Sequence, residues 1–213
     1  MQVHWMRPAV TYNMSRAGMI PIDTMRAEAA HVLSLAPRTV MQKYYRWWAT
    51  DGDTAAIQQY VAHFLDAERK LRTPSGFEML QASAAAGRAY LALARHDTAT
   101  ALARFLTNAD TLHECWYDTR MTIADLLISA GRYVEAAEHL ARRWPGTTSC
   151  GDGFDDVMWT FRRAQVAERR GIRPQAISDY SFVADAWRNA DPELQPYVRE
   201  ARAGLARVRT SSW

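Results

Sequence analysis

Six histidines and two cysteines are the residues of this chain most able to hold a metal, and their spacing decides whether they do. His4, His31, His63, His96, His113 and His139 form no HExxH pair and no other metal pair on one helix face. His113 lies two residues before Cys115, and His139 and Cys150 complete four ligands of suitable type. No finger-like spacing joins them, so zinc is not expected.

The loop Cys150-Gly151-Asp152-Gly153-Phe154-Asp155-Asp156 holds GxG and three carboxylates, the raw material of a phosphate cradle or a calcium loop. It lacks a third glycine, the Lys-Ser/Thr pair of a P-loop and the alternating carboxylates of an EF-hand. A turn that leads into a helix accounts for the same residues. Asp155 and Asp156 then occupy the first helical turn, where negative charge is favourable. No GxSxG elbow is present. Glu135 and Glu138 precede Arg142 and Arg143 at spacings that suit solvated ion pairs rather than a catalytic pair. No catalytic residue, metal or cofactor is expected, and the chain does not read as an enzyme.

Composition points the same way. A hydrophobic fraction of 48% with 23% charged residues is that of a folded chain. Ten glycines and eight prolines leave few turns in 213 residues, which favours helices. The formal charge is only +3, and 23 acidic residues dilute the arginines, so direct nucleic-acid binding is not expected. No run of about 18 apolar residues occurs, and the first residues lack a secretory pattern. A cytoplasmic protein is expected, in which Cys115 and Cys150 either remain free thiols or form one bridge.

The elements that must position these residues emerge from repeats. GRAYLALARHDTATALARF (Gly87 to Phe105), ADLLISAGRYVEAAEHLAR (Ala124 to Arg142) and AQVAERRGIRPQAISDYSF (Ala164 to Phe182) align without gaps. Each begins on a small residue, has another seven places on (Ala94, Gly131, Gly171), and an alanine five later (Ala99, Ala136, Ala176). The alanines recur at spacings of 37 and 40 residues. Antiparallel helices that pack closely need small side chains where they cross, and Gly131 and Gly171 suit the left-handed residue that ends a helix. An earlier, weaker unit repeats the Asp-Thr-Ala step, Asp53-Thr54-Ala55 matching Asp97-Thr98-Ala99. The N-terminal stretch reads as a degenerate helix-turn-helix. ELQPYVREARAGLARV is a last helix whose Arg199, Glu200 and Arg202 form a solvated outer face.

These three units resemble tetratricopeptide repeats. Residues 86–94, LHECWYDTR (Leu112 to Arg120) and the tail from Asp179 to Val208 resemble the C-terminal repeat region of bacterial multidomain regulators. The resemblance covers most of residues 40–208, but the kinase-like or DNA-binding domain of that group has no counterpart here. It implies an all-α, right-handed α-solenoid of antiparallel helix pairs, with four to five units and a C-terminal capping helix. Residues 1–75 would hold the degenerate repeats and an irregular arm, and residues 76–213 the three clear units and the cap, in one continuous solenoid.

The resemblance also implies a concave groove lined by the first helix of each pair. Its usual offsets fall on Gln81, Ala84, Arg88, Leu91 and Ala92, then Asp118, Met121, Asp125, Ile128 and Ser129, then Met158, Phe161, Gln165, Glu168 and Arg169. This mixture of apolar residues and both charges suits an extended peptide or a helix. The Lys and Asn cluster of carboxylate-clamp adaptors is absent. Of eight tryptophans most are expected in packing positions, but Trp47 and Trp48 are adjacent and cannot both face inward. One of them, with Tyr44 and Tyr45, is expected in a partly exposed contact patch. The expected function is a non-catalytic protein-interaction module, the alternative a structural subunit of a larger assembly.

Overall fold

The structure, a computed structural model, describes residues 11–12, 14–15, 17–34, 43–70, 74–109, 117–142 and 153–210. Among them are ten helices and no strand, so the chain is all-α. They are α1 (Ile22–Ser34), α2 (Lys43–Asp51), α3 (Thr54–Lys70), α4 (Pro74–Ala94) and α5 (Thr98–Thr107). After these come α6 (Tyr117–Ser129), α7 (Tyr133–Ala141), α8 (Gly153–Arg169), α9 (Arg173–Ala186) and α10 (Gln195–Thr210).

Four helix-to-helix links share one turn. Gly52, His96, Gly131 and Gly171 are left-handed, with φ of +75°, +61°, +70° and +70°. The next residue's N–H reaches back five places: Asp53 to the Trp48 carbonyl (2.8 Å), Asp97 to Ala92 (3.0 Å), Arg132 to Leu127 (2.9 Å) and Ile172 to Ala167 (2.9 Å). In the last three, the left-handed residue also donates to the carbonyl three places back. This is the Schellman end, which satisfies carbonyls the helix leaves open. The residue that closes one helix opens the next, its carbonyl accepting from Ile57, Ala101, Ala136 or Ala176. Asp53 and Asp97 add side-chain caps, their Oδ1 atoms accepting from Ala56 N (2.9 Å) and Thr100 N (3.0 Å).

The turns correct the register of the repeat. Residues 96, 131 and 171 are equivalent, so the first spacing is 35 residues and not 37. The alanine matching Ala136 and Ala176 is Ala101, and the small residue matching Ala124 and Ala164 is Ala89. All six are fully buried, whereas Ala99 is exposed. The cause is His96, which occupies a position where glycine is usual, so no glycine marks the turn. Gly87 serves a different contact: a Cβ there would stand 2.6 Å from Tyr45 Oη, so its absence lets α4 approach α2.

A stability prediction follows from the shared turn. His96→Gly should raise the unfolding free energy by about 0.5–1 kcal/mol, because a side chain in the left-handed region is strained. Gly131→Ala should lower it by about 1 kcal/mol for the same reason. Urea titrations with unchanged slope check both; a loss for His96→Gly contradicts the assignment.

By compactness the chain divides into two units, Met1–Ile123 and Ala124–Trp213, the division falling inside α6. In the first, α4 is flanked by α3 and α5, α2 lies on α4 and α3, and α1 touches α2 and α3. Its core is aromatic and centred on Tyr45. The Tyr45 ring stacks on Tyr90 at 5.7 Å, meets Tyr60 edge-on at 5.3 Å, and lies 6.1 Å from Trp48. Such pairs add about 0.5–1.5 kcal/mol each beyond their buried area. Thr122 Oγ1 donates to the Asp118 carbonyl (2.8 Å), and the Tyr90 hydroxyl is hydrogen-bonded to Thr122 Oγ1 at 3.0 Å and lies 3.4 Å from Thr119 Oγ1. Burial pushes the Tyr90 hydroxyl up to about 12, keeping it a neutral donor.

In the second unit α9 packs on α8 and α10, and α7 on α8. Leu127, Leu140, Phe161, Tyr180, Val183 and Val198 fill its core. Arg199, Glu200 and Arg202 are exposed on α10, the solvated face expected there. Among the described residues no helix is long and apolar enough to cross a membrane.

Candidate functional site

The first helices of the hairpins, α4, α6 and α8, carry the fifteen residues expected to line a groove, and these divide by burial: Ala84, Ala92 and Met158 are buried, Ile128 and Glu168 half-buried and Ser129 exposed. Gln81, Arg88 and Arg169 are exposed, and Leu91, Asp125 and Gln165 are half-buried. Asp118, Met121 and Phe161 are buried and are not available to a partner in this structure. The corrected register gives the reason. Asp118 shares its column with Ser83 and Met158, and Met121 with Ala86 and Phe161; all six are buried. These columns hold packing positions in the three hairpins that begin with α4, α6 and α8.

Asp118 is covered by the chain's own beginning. The buried Tyr12 hydroxyl donates to Asp118 Oδ1 at 2.9 Å, and the Tyr12 ring lies 5.8 Å from that of Tyr44. A contact between residues 106 apart leaves no signal in local spacing. Phe161 meets Tyr180 at 6.2 Å and Tyr197 at 5.8 Å, both edge-on. Asp125 and Gln165 are joined through Arg162, which donates from Nε to Asp125 Oδ1 (2.6 Å) and from Nη1 to Gln165 Oε1 (3.1 Å). This pair of charges ties α6 to α8, so Asp125 is structural as well as half-exposed.

The aromatic contact patch is also corrected. Tyr44, Tyr45 and Trp48 are buried, and only Trp47 is half-exposed. On one helix Trp48 lies four residues after Tyr44 and three after Tyr45, so it shares a face with both, while Trp47 points away. That face meets Tyr12, Tyr60 and Tyr90. Trp187 is buried and Trp159 half-buried, its Nε1 donating to the Leu140 carbonyl at 3.1 Å. Trp5, Trp116, Trp144 and Trp213 lie outside the described residues.

Among the described residues no group of three His, Cys, Asp or Glu side chains is placed to hold a metal. Cys115, His113 and Cys150 lie outside them. Helix α8 begins at Gly153, with Asp155 and Asp156 in its first turn, as the dipole argument requires.

Glu168, at the end of α8, is a carboxylate shared by two partners. Its carboxylate accepts from Arg207 Nε (2.7 Å) and Tyr180 Oη (2.6 Å). The Arg207 guanidinium, then the Tyr180 hydroxyl, hold it below the usual carboxylate range despite partial burial. Burial, then the bond to Glu168, push the Tyr180 hydroxyl up. A carboxyl depressed in the folded state contributes stability that is full above its unfolded value, near 4.3, and is lost as pH falls through the folded value. Glu168→Gln should therefore cost about 1–2 kcal/mol at pH 7. The gap from the parent chain should narrow below about pH 4.3, as urea titrations at a series of pH values would show. A constant gap contradicts the linkage.

A cleft of about 190 Å³ opens between α7, α8 and α9. Ala137 and Ala141 of α7 and Val166 and Ala167 of α8 give it apolar walls, and Glu138, Arg163, Arg170 and Gln175 stand around them. Arg163 is neutralised by Asp179, to which Nε and Nη2 donate at 2.7 and 2.6 Å. The cleft carries no motif. Its only trace in the sequence is a pair of alanines one turn apart on the second helix of a hairpin.

These features define the described chain as an all-α protein of helical hairpins joined by a common turn. No family model, curated protein or solved structure matches it.

Proposed function

We propose that the chain is a non-catalytic protein-interaction module whose hairpins are tetratricopeptide-type repeats, stacked as a right-handed α-solenoid. The observation that carries this reading is the shared turn, whose hydrogen bonds recur at three sites 35 and 40 residues apart with the same columns buried. Hairpins of this kind bury one face against their neighbours and leave another for a peptide or helix. In the first unit Gln81 and Arg88 are the exposed polar residues of that set, and in the second Arg169, with Asp125 and Gln165 half-exposed beside Arg162.

The test is charge reversal at Arg88 and Arg169, both exposed. Asp125 is left intact because its reversal would break the pair with Arg162. The parent chain and the Arg88→Glu/Arg169→Glu variant are used to capture partners from lysate of the source cells, with helicity and melting temperature as controls. A partner lost by a folded variant is expected; equal recovery contradicts the assignment. The alternative is a structural subunit of a larger assembly, motivated by Trp47, Trp48 and the N-terminal arm; of those two tryptophans Trp47 is the one with exposed surface to offer such a contact.

A further inference from the structure

We infer that the cleft between α7, α8 and α9 is a second docking surface, and that its occupant is an acidic peptide segment bearing one apolar anchor residue. This surface uses neither Arg88 nor Arg169, so it stands or falls separately from the reading above.

The apolar half of the inference rests on what surrounds the cleft. Val134 is 57% exposed and lies three residues before Ala137 and seven before Ala141, on one stripe of α7. Phe182, 48% exposed, lies seven residues after Gln175 on α9, so it continues the flank that Gln175 begins. Two of the large hydrophobic residues that the described chain exposes therefore extend the cleft's two sides. A cleft of about 190 Å³ has room for about six waters at ~30 Å³ each, which is the scale of one leucine or phenylalanine side chain. Its walls offer the waters few partners, so an apolar anchor displaces them favourably.

The acidic half rests on charge. Arg163 is already matched by Asp179. Arg170, at the turn between α8 and α9, is exposed and has no side-chain partner among the described residues. Arg173 follows three places on and is also exposed, donating to the Arg209 carbonyl at 2.8 Å. Glu138 is the one acidic residue of the lining. A carboxylate beside the anchor meets Arg170 in a geometry that a guanidinium favours.

The inference is tested on the full ¹⁵N-labelled chain with an end-capped pentapeptide, leucine between pairs of glutamates, at low salt. Binding is read by fluorescence anisotropy of the labelled peptide, and its place by amide shifts of Ala137, Ala141, Val166 and Arg170. Shifts confined to these residues and their neighbours are expected. Replacing the peptide's leucine by alanine, or the protein's Arg170 by glutamate (R170E), should each weaken binding about tenfold. Ala141→Trp fills the cleft from an exposed helix end and should abolish it. Failure of the peptide to bind at about 1 mM overturns the inference. So does equal binding of the alanine peptide, which would mean surface charge alone. Because R170E lies in an exposed turn, it remains informative if Ala141→Trp disturbs the fold.

Discussion

Trp48→Ala should lower the unfolding free energy by about 3–5 kcal/mol, while Trp47→Ala, one residue earlier, costs about 1 kcal/mol or less. Trp48 is 2% exposed and its ring lies 5.1 Å from Tyr60, 5.9 Å from Tyr44 and 6.1 Å from Tyr45. Truncation removes those ring contacts and opens a cavity that three neighbours cannot close without leaving their own partners. Trp47 projects about 100° around the helix from Trp48 and keeps part of its ring in water. Against a typical domain stability of about 5–15 kcal/mol, the first loss removes about a fifth or more of the total. Urea denaturation followed by far-UV circular dichroism measures both variants. Comparable small losses at the two positions would show that the quartet is a surface patch after all.

That contrast marks where sequence reasoning reaches its limit. Two adjacent tryptophans must diverge on a helix, and this was legible. Which one turns inward was not, because the deciding contacts come from Tyr12, Tyr60 and Tyr90, distant in sequence. Hairpins are local objects, so small residues and turns at regular spacing revealed the helices, their order and the solvent-exposed face of α10. The register failed at one place, where His96 holds a left-handed conformation without the glycine that signals it. Sliding by two residues put Ala94 opposite Gly131 and carried the groove offsets of α4 with it. For α6 and α8 the offsets kept their register, yet Asp118, Met121 and Phe161 are buried. A polar residue such as Asp118 reads as solvent-facing until the Tyr12 hydroxyl that covers it is known. The cleft was illegible because three helices build it from side chains that are individually ordinary.

Gly204→Ala should be destabilising by about 2–3 kcal/mol, although the same change on an isolated helix gains about 1 kcal/mol. Gly204 is buried within α10, and a Cβ placed there would stand 2.5 Å from Cε2 and Cζ of Tyr180 and 2.9 Å from Cε1. The Tyr180 ring cannot tilt freely. Its hydroxyl is held by Glu168 at 2.6 Å, and Phe161 meets it edge-on at 6.2 Å. The added methyl must therefore either part α9 from α10 or break the bond to Glu168, which Arg207 shares from α10 at 2.7 Å. Removing the ring should reverse the sign: in a Tyr180→Ala background, Gly204→Ala is expected to be neutral or to gain up to about 1 kcal/mol. The double-mutant cycle then gives a coupling of about 2–4 kcal/mol, at or just above the upper end of the range for residues in contact. A Gly204→Ala variant as stable as the parent chain would show that α9 and α10 can separate at no cost. The close approach of α9 and α10 would then have to rest on other residues.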